Sequence, residues 1–324
     1  MEPIRIPNIR FNSELASTII ELERVRARVH QHTRTDPPLY DDLRKLFQNL
    51  SNIMSARIEG NRTTVLDALQ GVREGQSHDE GVQEILNLEK ASAYIDEAVT
   101  EEFIFTEMFI RELHALAVSG LDREGDTTPG SYRSTEVRIA QTAHRPPGPE
   151  SVPADMRELV EFMNESMSPQ YHLLQVAIVH HRFVWIHPFG NGNGRVSRLL
   201  TYAMLVKLGF TSASGYRALN PTVVFGSDRQ AYYEHLSIAD SLRDEDIEKW
   251  CLYVLHGVAS DMKNILDLSS SAFVLNELYG PALEKAYDEA LLTGKEVAVL
   301  LKIADSGEVS AGDVKDLLPG SSAV

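Results

Sequence analysis

Apolar residues recur at the helical period through most of the chain, and the breaks between periodic stretches fall at Pro and Gly. An opening helical stretch is ended by Pro37 and Pro38, and a second helix is expected from about Asp41, with Leu43, Leu46, Phe47, Leu50, Ile53, Met54 and Ile58 on one stripe and Gly60 as its stop. Further helices are expected over Val82–Val99, Phe105–Val118, Met156–Asn164, Tyr171–Ile186, Gly194–Leu208, Arg229–Leu242 and Glu245–Leu268. Between Gly120 and Pro153 the period lapses and Gly and Pro crowd together, which reads as loop. Within that loop Ser134–Ala140 places Thr135, Val137 and Ile139 in alternation with polar neighbours, the pattern of an exposed hairpin strand. The expected fold class is all-α with one short β-hairpin.

Beyond Leu268, helical segments are expected over Phe273–Leu278, Pro281–Leu292, Glu296–Ile303 and Ser310–Leu318, followed by the turn Pro319-Gly320-Ser321-Ser322. Helix, short helix and Ser-rich turn is how a helix-turn-helix begins. Residues 281–324 hold four Lys against eight acidic residues, a local charge of −4, and the sequence ends where a recognition helix would start. DNA binding by this segment is therefore disfavoured, and a small accessory or truncated winged-helix-like fold is preferred. The organisation expected is a helical region over 1–99, a core over 100–268 and the tail over 269–324.

Charge narrows the function classes. The 324 residues carry 31 Lys plus Arg against 47 Asp plus Glu, a net of −16, too acidic for a protein whose main task is gripping duplex phosphates. The single Cys251 permits no internal disulfide and no zinc site of paired cysteines, and it fits a reducing compartment. The first residues, with Glu2, Arg5 and Arg10 among apolar ones, form no signal peptide or membrane span, so a cytoplasmic protein without a membrane partner is expected.

The chemistry concentrates in one loop, His187-Pro188-Phe189-Gly190-Asn191-Gly192-Asn193-Gly194-Arg195-Val196-Ser197-Arg198, set between two apolar helices. Three alternating glycines allow a turn whose amides converge, and the next helix brings its N-terminus to the same place, which favours an anion. Arg195 and Arg198, three apart, share a helix face suited to clamping phosphate oxygens. His187 stands at the rim as a general base.

These residues resemble the signature of the Fic family, His-Pro-Phe-x-acidic-Gly-Asn-Gly-Arg-x-x-Arg, at His187, Pro188, Phe189, Gly192, Asn193, Gly194, Arg195 and Arg198. The resemblance covers about residues 100–260 and extends to Leu113-His114, Pro129-Gly130-Ser131-Tyr132-Arg133, Val137 and Ile139, Pro146-Pro147 and Val152-Pro153. It implies a helical Fic core that moves AMP from ATP onto a Tyr, Thr or Ser hydroxyl of a target protein. By the resemblance His187 is the catalytic base, Gly190, Asn191, Gly192, Asn193 and Gly194 line the phosphates, Arg195 holds the terminal ones with Arg198 in support, and Val137, Arg138 and Ile139 form a flap that aligns the target backbone. Mg²⁺ is implied as well, but the family's acidic metal ligand is here Asn191, a neutral oxygen.

Upstream, Ser55-Ala56-Arg57-Ile58-Glu59-Gly60 puts Ser55 and Glu59 on one helix face, with a carboxylate in the last turn seeking a cation. The stretch resembles the family's inhibitory motif, which implies that Glu59 pairs with Arg195 as a brake and, in some members, helps remove AMP again. Tyr232 and Tyr233 are candidates to stack on adenine or to close the core edge. His180, His181 and His187 lack a carboxylate at ligand spacing and are expected to pack rather than hold metal. Target protein, ATP and a second copy of the chain are the partners the resemblance allows. Two other functions stay open: a Doc-like kinase, whose members carry Lys where Gly194 stands here, and a nucleotide-binding regulatory module without turnover.

Overall fold

The computed structural model describes residues 3–32, 38–75, 77–139, 144–210, 225–226, 228–268 and 279–306, with parts of 309–317. The described residues form α1 (Glu14–His32), α2 (Pro38–Ile58), α3 (Val65–Glu74), α4 (Glu80–Ala98), α5 (Glu107–Val118), α6 (Val152–Asn164), α7 (His172–Ile186), α8 (Asn193–Lys207), α9 (Arg229–Ala239), α10 (Asp244–Leu268), α11 (Gly280–Asp288) and α12 (Gly294–Ser306). Local chemistry marks most boundaries. Thr106 caps α5 by accepting from Phe109 N at 3.1 Å, Asp79 caps α4 through Val82 N, and Pro153 sits in the first turn of α6.

The helix α7 is buried on nearly every side, so it is apolar all round rather than striped. It packs against α6, α8 and α10, while α8 also meets α4 and α5. Trp250 of α10 is fully buried and donates its indole N–H to Ala177 O at 2.7 Å. One apolar core runs from Leu15 of α1 to Val258 of α10, and it holds the α7–loop–α8 hairpin in place.

Three expectations change. Helix α3 lies in a stretch, between Gly60 and Val82, where no helix was expected. There Gly71 is buried and lets Val82 approach so closely that any Cβ would collide with it, so the glycine serves packing. No strand occurs among the described residues, and 134–139 run as irregular chain. Alternation marks extended chain, but a strand also needs a paired edge, and the nearby amide of Arg133 bonds instead to Pro188 O at 2.9 Å. In the tail, α11 ends at Asp288 before Ala290, whose φ of 58° breaks the helix, and the described residues of 310–318 form turns rather than a helix. The expected segment 273–278 and the turn at 319–322 lie outside the described residues.

Candidate functional site

The loop between α7 and α8 forms a cup suited to an anion. His187 ends α7 in a left-handed conformation (φ 52°), with its amide on Phe183 O at 3.0 Å. Pro188 then turns the chain, and Phe189 is driven into the core, where its ring stacks on His114 at 3.8 Å between centroids and 2° between planes. Asn193 closes the turn from the far side: its Oδ1 accepts from Phe189 N and its Nδ2 donates to Phe189 O, both at 2.9 Å. Gly192, at φ 74°, precedes α8 and offers no capping side chain, so the first amides of that helix stay available to an anion.

His114 has a fixed tautomer. Gly130 N donates to its Nδ1 at 2.9 Å, so Nε2 carries the proton and donates to Asn191 O at 3.1 Å. Burial pushes its pKa down to about 4, against the pull of Asp126, so it braces the loop as a neutral ring. Arg133 braces the other side, with Nε donating to His187 O at 2.8 Å and Nη1 to Thr135 O at 3.1 Å. That arginine fastens the start of the expected flap, where Val137 and Ile139 are half-buried and Arg138 exposed.

His187 itself has Nδ1 3.3 Å from Val184 O, an acceptor only, so Nδ1 carries the proton and Nε2 is a free base. Burial lowers its pKa to about 4; the Val184 bond and the charge of Glu59 oppose this without reversing it. Beyond it the two arginines are almost wholly buried, Arg195 at 1% and Arg198 at 2% exposure. Arg198 Nε donates to Ser55 Oγ at 2.9 Å, and its Nη2 reaches Ser55 O at 3.1 Å and Glu59 Oε1 at 2.8 Å. Among the described residues Arg195 Nε and Nη1 and Arg198 Nη1 have no hydrogen-bond partner. Buried cationic donors left over in this way suit a polyanionic ligand.

The expected pairing of Glu59 with Arg195 is corrected: Glu59 pairs with Arg198, and Arg195 faces Glu84, with Nη1 3.2 Å from Oε1. The register of α2 against α8 decides this, because Ser55 and Glu59 straddle Arg198 from one helix face. Glu59 Oε1 lies directly over Gly194, where an added Cβ would collide with it. Burial alone would raise the Glu59 pKa, but the pairing and hydrogen bond with Arg198, helped by Arg195 and Arg229, hold it below the usual carboxylate range.

Asn191 serves the loop. Its Oδ1 accepts from Gly192 N at 2.7 Å and its Nδ2 donates to Gly125 O at 3.2 Å. The nearest carboxylate, Asp126, is itself engaged by Asn191 N at 3.0 Å and Thr128 N at 2.8 Å. No group of three His, Cys, Asp or Glu able to hold a metal occurs among the described residues. A neutral amide oxygen already bound to a backbone N–H does not fit the role of a Mg²⁺ ligand.

Of the tyrosines, Tyr232 is buried at 2% exposure, with its hydroxyl 2.9 Å from His180 Nε2, while His180 Nδ1 lies 2.7 Å from Thr201 Oγ1. Tyr233 keeps a partly open position with Arg229 over its ring at 5.5 Å. His181 Nε2 meets Asp240 Oδ1 at 3.2 Å, so these two histidines are spent in the core. Glu84, Glu124, Asn61 and Asp126 were missed by sequence reasoning; a lone acid or amide within a helix or loop carries no period or spacing that marks it.

The Fic/DOC family profile matches residues 104–205. Protein adenylyltransferase Fic of Drosophila grimshawi is 32% identical over 202 residues, covering 60% of this chain and 38% of that protein. The same-named protein of Drosophila melanogaster is 31% identical, with 60% and 37% covered. The chain thus spans well under half the length of the curated relatives it matches. Among solved structures, a Fic family protein from Desulfovibrio desulfuricans G20 superposes with a TM-score of 0.65 at 22% identity, over 98% of this chain and 87% of that one. Fic-1 from C. elegans gives 0.62 at 19%, over 79% and 74%. At those identities the likeness is one of fold. The signature loop, the helical hairpin that carries it and these matches agree that the chain carries a Fic/DOC-family domain.

Proposed function

We propose that the chain transfers AMP from ATP to a hydroxyl of a target protein and that Glu59 restrains it. The observation that carries this reading is the place of the Glu59 carboxylate: it fills the anion cup over Gly194, bonded to Arg198, where a phosphate group would otherwise bind. A protein carboxylate in a phosphate position is what an internal competitor looks like. In the reaction, His187 Nε2 takes the proton of the incoming hydroxyl and the oxygen attacks the α-phosphorus. The bond from that phosphorus to the bridging oxygen breaks, and pyrophosphate leaves. The uncapped amides at the start of α8 face the charge that grows on the α-phosphate oxygens, and Arg195 and Arg198 meet the departing phosphates. The donors around Asn191 do not fit a metal held by the protein.

The test is transfer of label from α-labelled ATP by the intact chain, by Glu59→Gly, and by Glu59→Gly with His187→Ala. Label on protein in the Glu59→Gly form alone, lost with His187, is the expected result. ATP binding with no label from the α position refutes transfer and leaves a γ-phosphate kinase or a nucleotide sensor.

A further inference from the structure

Helix α4 holds Arg195 from two sides. Glu84, 2% exposed in the middle of that helix, points Oε1 at Arg195 Nη1 at 3.2 Å. One turn earlier on α4, Glu80 Oε1 accepts from Glu124 N at 3.0 Å, and Glu124 O accepts from Arg195 Nη2 at 2.6 Å. The two glutamates are four residues apart and so on one helix face: Glu84 faces the guanidinium directly, and Glu80 holds the backbone segment whose Glu124 carbonyl accepts from it. Burying a carboxylate in a helix interior costs free energy unless a cation and hydrogen bonds answer it. Arg195 supplies a cation and Asn61 a hydrogen bond, its Nδ2 lying 2.8 Å from Glu84 Oε2 and 2.8 Å from Gly81 O, and burial still outweighs them and holds the Glu84 pKa above the usual carboxylate value.

Asn61 follows the brake by two residues. Its amide donates to Ala56 O at 3.1 Å and its Oδ1 accepts from Thr63 N at 2.8 Å, so both its backbone and its side chain are fastened. The turn just past α2, which carries Glu59, is thereby tied through Asn61 and Glu84 to Arg195. The hold on the arginine is incomplete: Glu84 Oε1 and Arg195 Nη1 are close but not aligned as a hydrogen bond, and Arg195 Nε is unpartnered among the described residues. Glu84 therefore orients the guanidinium while leaving donors over for a ligand.

We propose that Glu84 is a positioning residue for Arg195 and that Asn61 links it to the brake helix, so that α4 sets where the first signature arginine presents its free donors. The consequence for ATP rests on the adenylyl-transfer reading above; the hold on Arg195 does not. Glu84→Gln is the informative change, because the amide oxygen still accepts from Asn61 while the charge facing Arg195 is gone. Phenylglyoxal modification of the folded protein, mapped by peptide mass spectrometry, then reports each arginine separately. Glu84→Gln is expected to speed labelling of Arg195 at least tenfold and Asn61→Ala about threefold, with Arg198, held by Ser55 and Glu59, unchanged in both. In the Glu59→Gly background, Glu84→Gln is expected to raise KM for ATP about tenfold with kcat within threefold, and Glu84→Asp to recover part of the loss. Arg195 as protected in Glu84→Gln as in the parent overturns the proposal. So does equal gain by Arg195 and Arg198, which would mean a loosened fold. If Glu59→Gly transfers no label at all, the adenylyl-transfer reading fails, and the labelling rates still decide the role of Glu84.

Discussion

The protonation of His187 is the sharpest quantity the site offers. Burial lowers its pKa from 6.5 to about 4, and the Val184 bond fixes the proton on Nδ1, leaving Nε2 as the acceptor. At pH 5.5 an imidazole with a pKa of about 4 is about 3% protonated, whereas one of ordinary pKa ~6.5 is about 90% protonated. The base is thus expected to stay competent well below neutrality. The direct assay is an NMR pH titration of the His187 ring signals in the free protein, assigned by their loss in His187→Ala. The kinetic counterpart is kcat/KM for the Glu59→Gly form, which reports ionisations of free enzyme and should stay level from pH 8 to about 5.5. A titration midpoint between 6 and 7 would refute the argument that burial governs this ring. The same shift carries a stability consequence with a definite sign. Between pH 4 and 6.5 the unfolded state binds more protons than the folded one at His187 and His114, so stability falls as pH drops through that window.

Two substitutions probe the loop. Asn193→Ala removes both bonds to the Phe189 backbone in a buried turn and is expected to cost about 2–4 kcal/mol, read as a lower midpoint in urea unfolding. An unchanged midpoint would show that the turn is held by Phe189 packing alone. Gly194→Ala puts a methyl where Glu59 Oε1 lies and 3.1 Å from Arg198 Nη1. In the Glu59→Gly background it is expected to weaken ATP binding at least tenfold, about 1.4 kcal/mol, in calorimetric titration. Full affinity there would mean that phosphate does not occupy the cup over Gly194.

What could be seen in the sequence was local. The apolar runs of α4 to α8 and the dense glycine loop are each written within one short continuous segment, so both the helices and the cup were legible. The partner of Glu59 was not, because it depends on how α2 slides against α8, and the spacing of Ser55 and Glu59 says only that they share a face. The strand expected over Ser134–Ala140 is not formed by its described residues, 134–139, for a related reason: alternation describes one segment, while pairing needs a second. Glu84 was hidden because a glutamate in an amphipathic helix ordinarily faces water. Only the packing of α4 on α8 makes it a buried counter-charge.

That packing gives the two arginines unequal partners. Two buried guanidinium groups need counter-charge when no nucleotide is bound, and Glu59 and Glu84 supply one carboxylate to each. If a triphosphate binds here as proposed, its charge repels both carboxylates, and the less firmly held one is expected to yield. Glu84 is locked within α4, bonded to Asn61 and almost fully buried, whereas the Glu59 side chain is 27% exposed and sits just past the last turn of α2. On the adenylyl-transfer reading, Glu59 is therefore the group expected to give way, and Arg198 the arginine whose partner is exchanged for phosphate. On the same reading Arg195 is expected to keep its carboxylate, as suits a residue oriented before the nucleotide arrives.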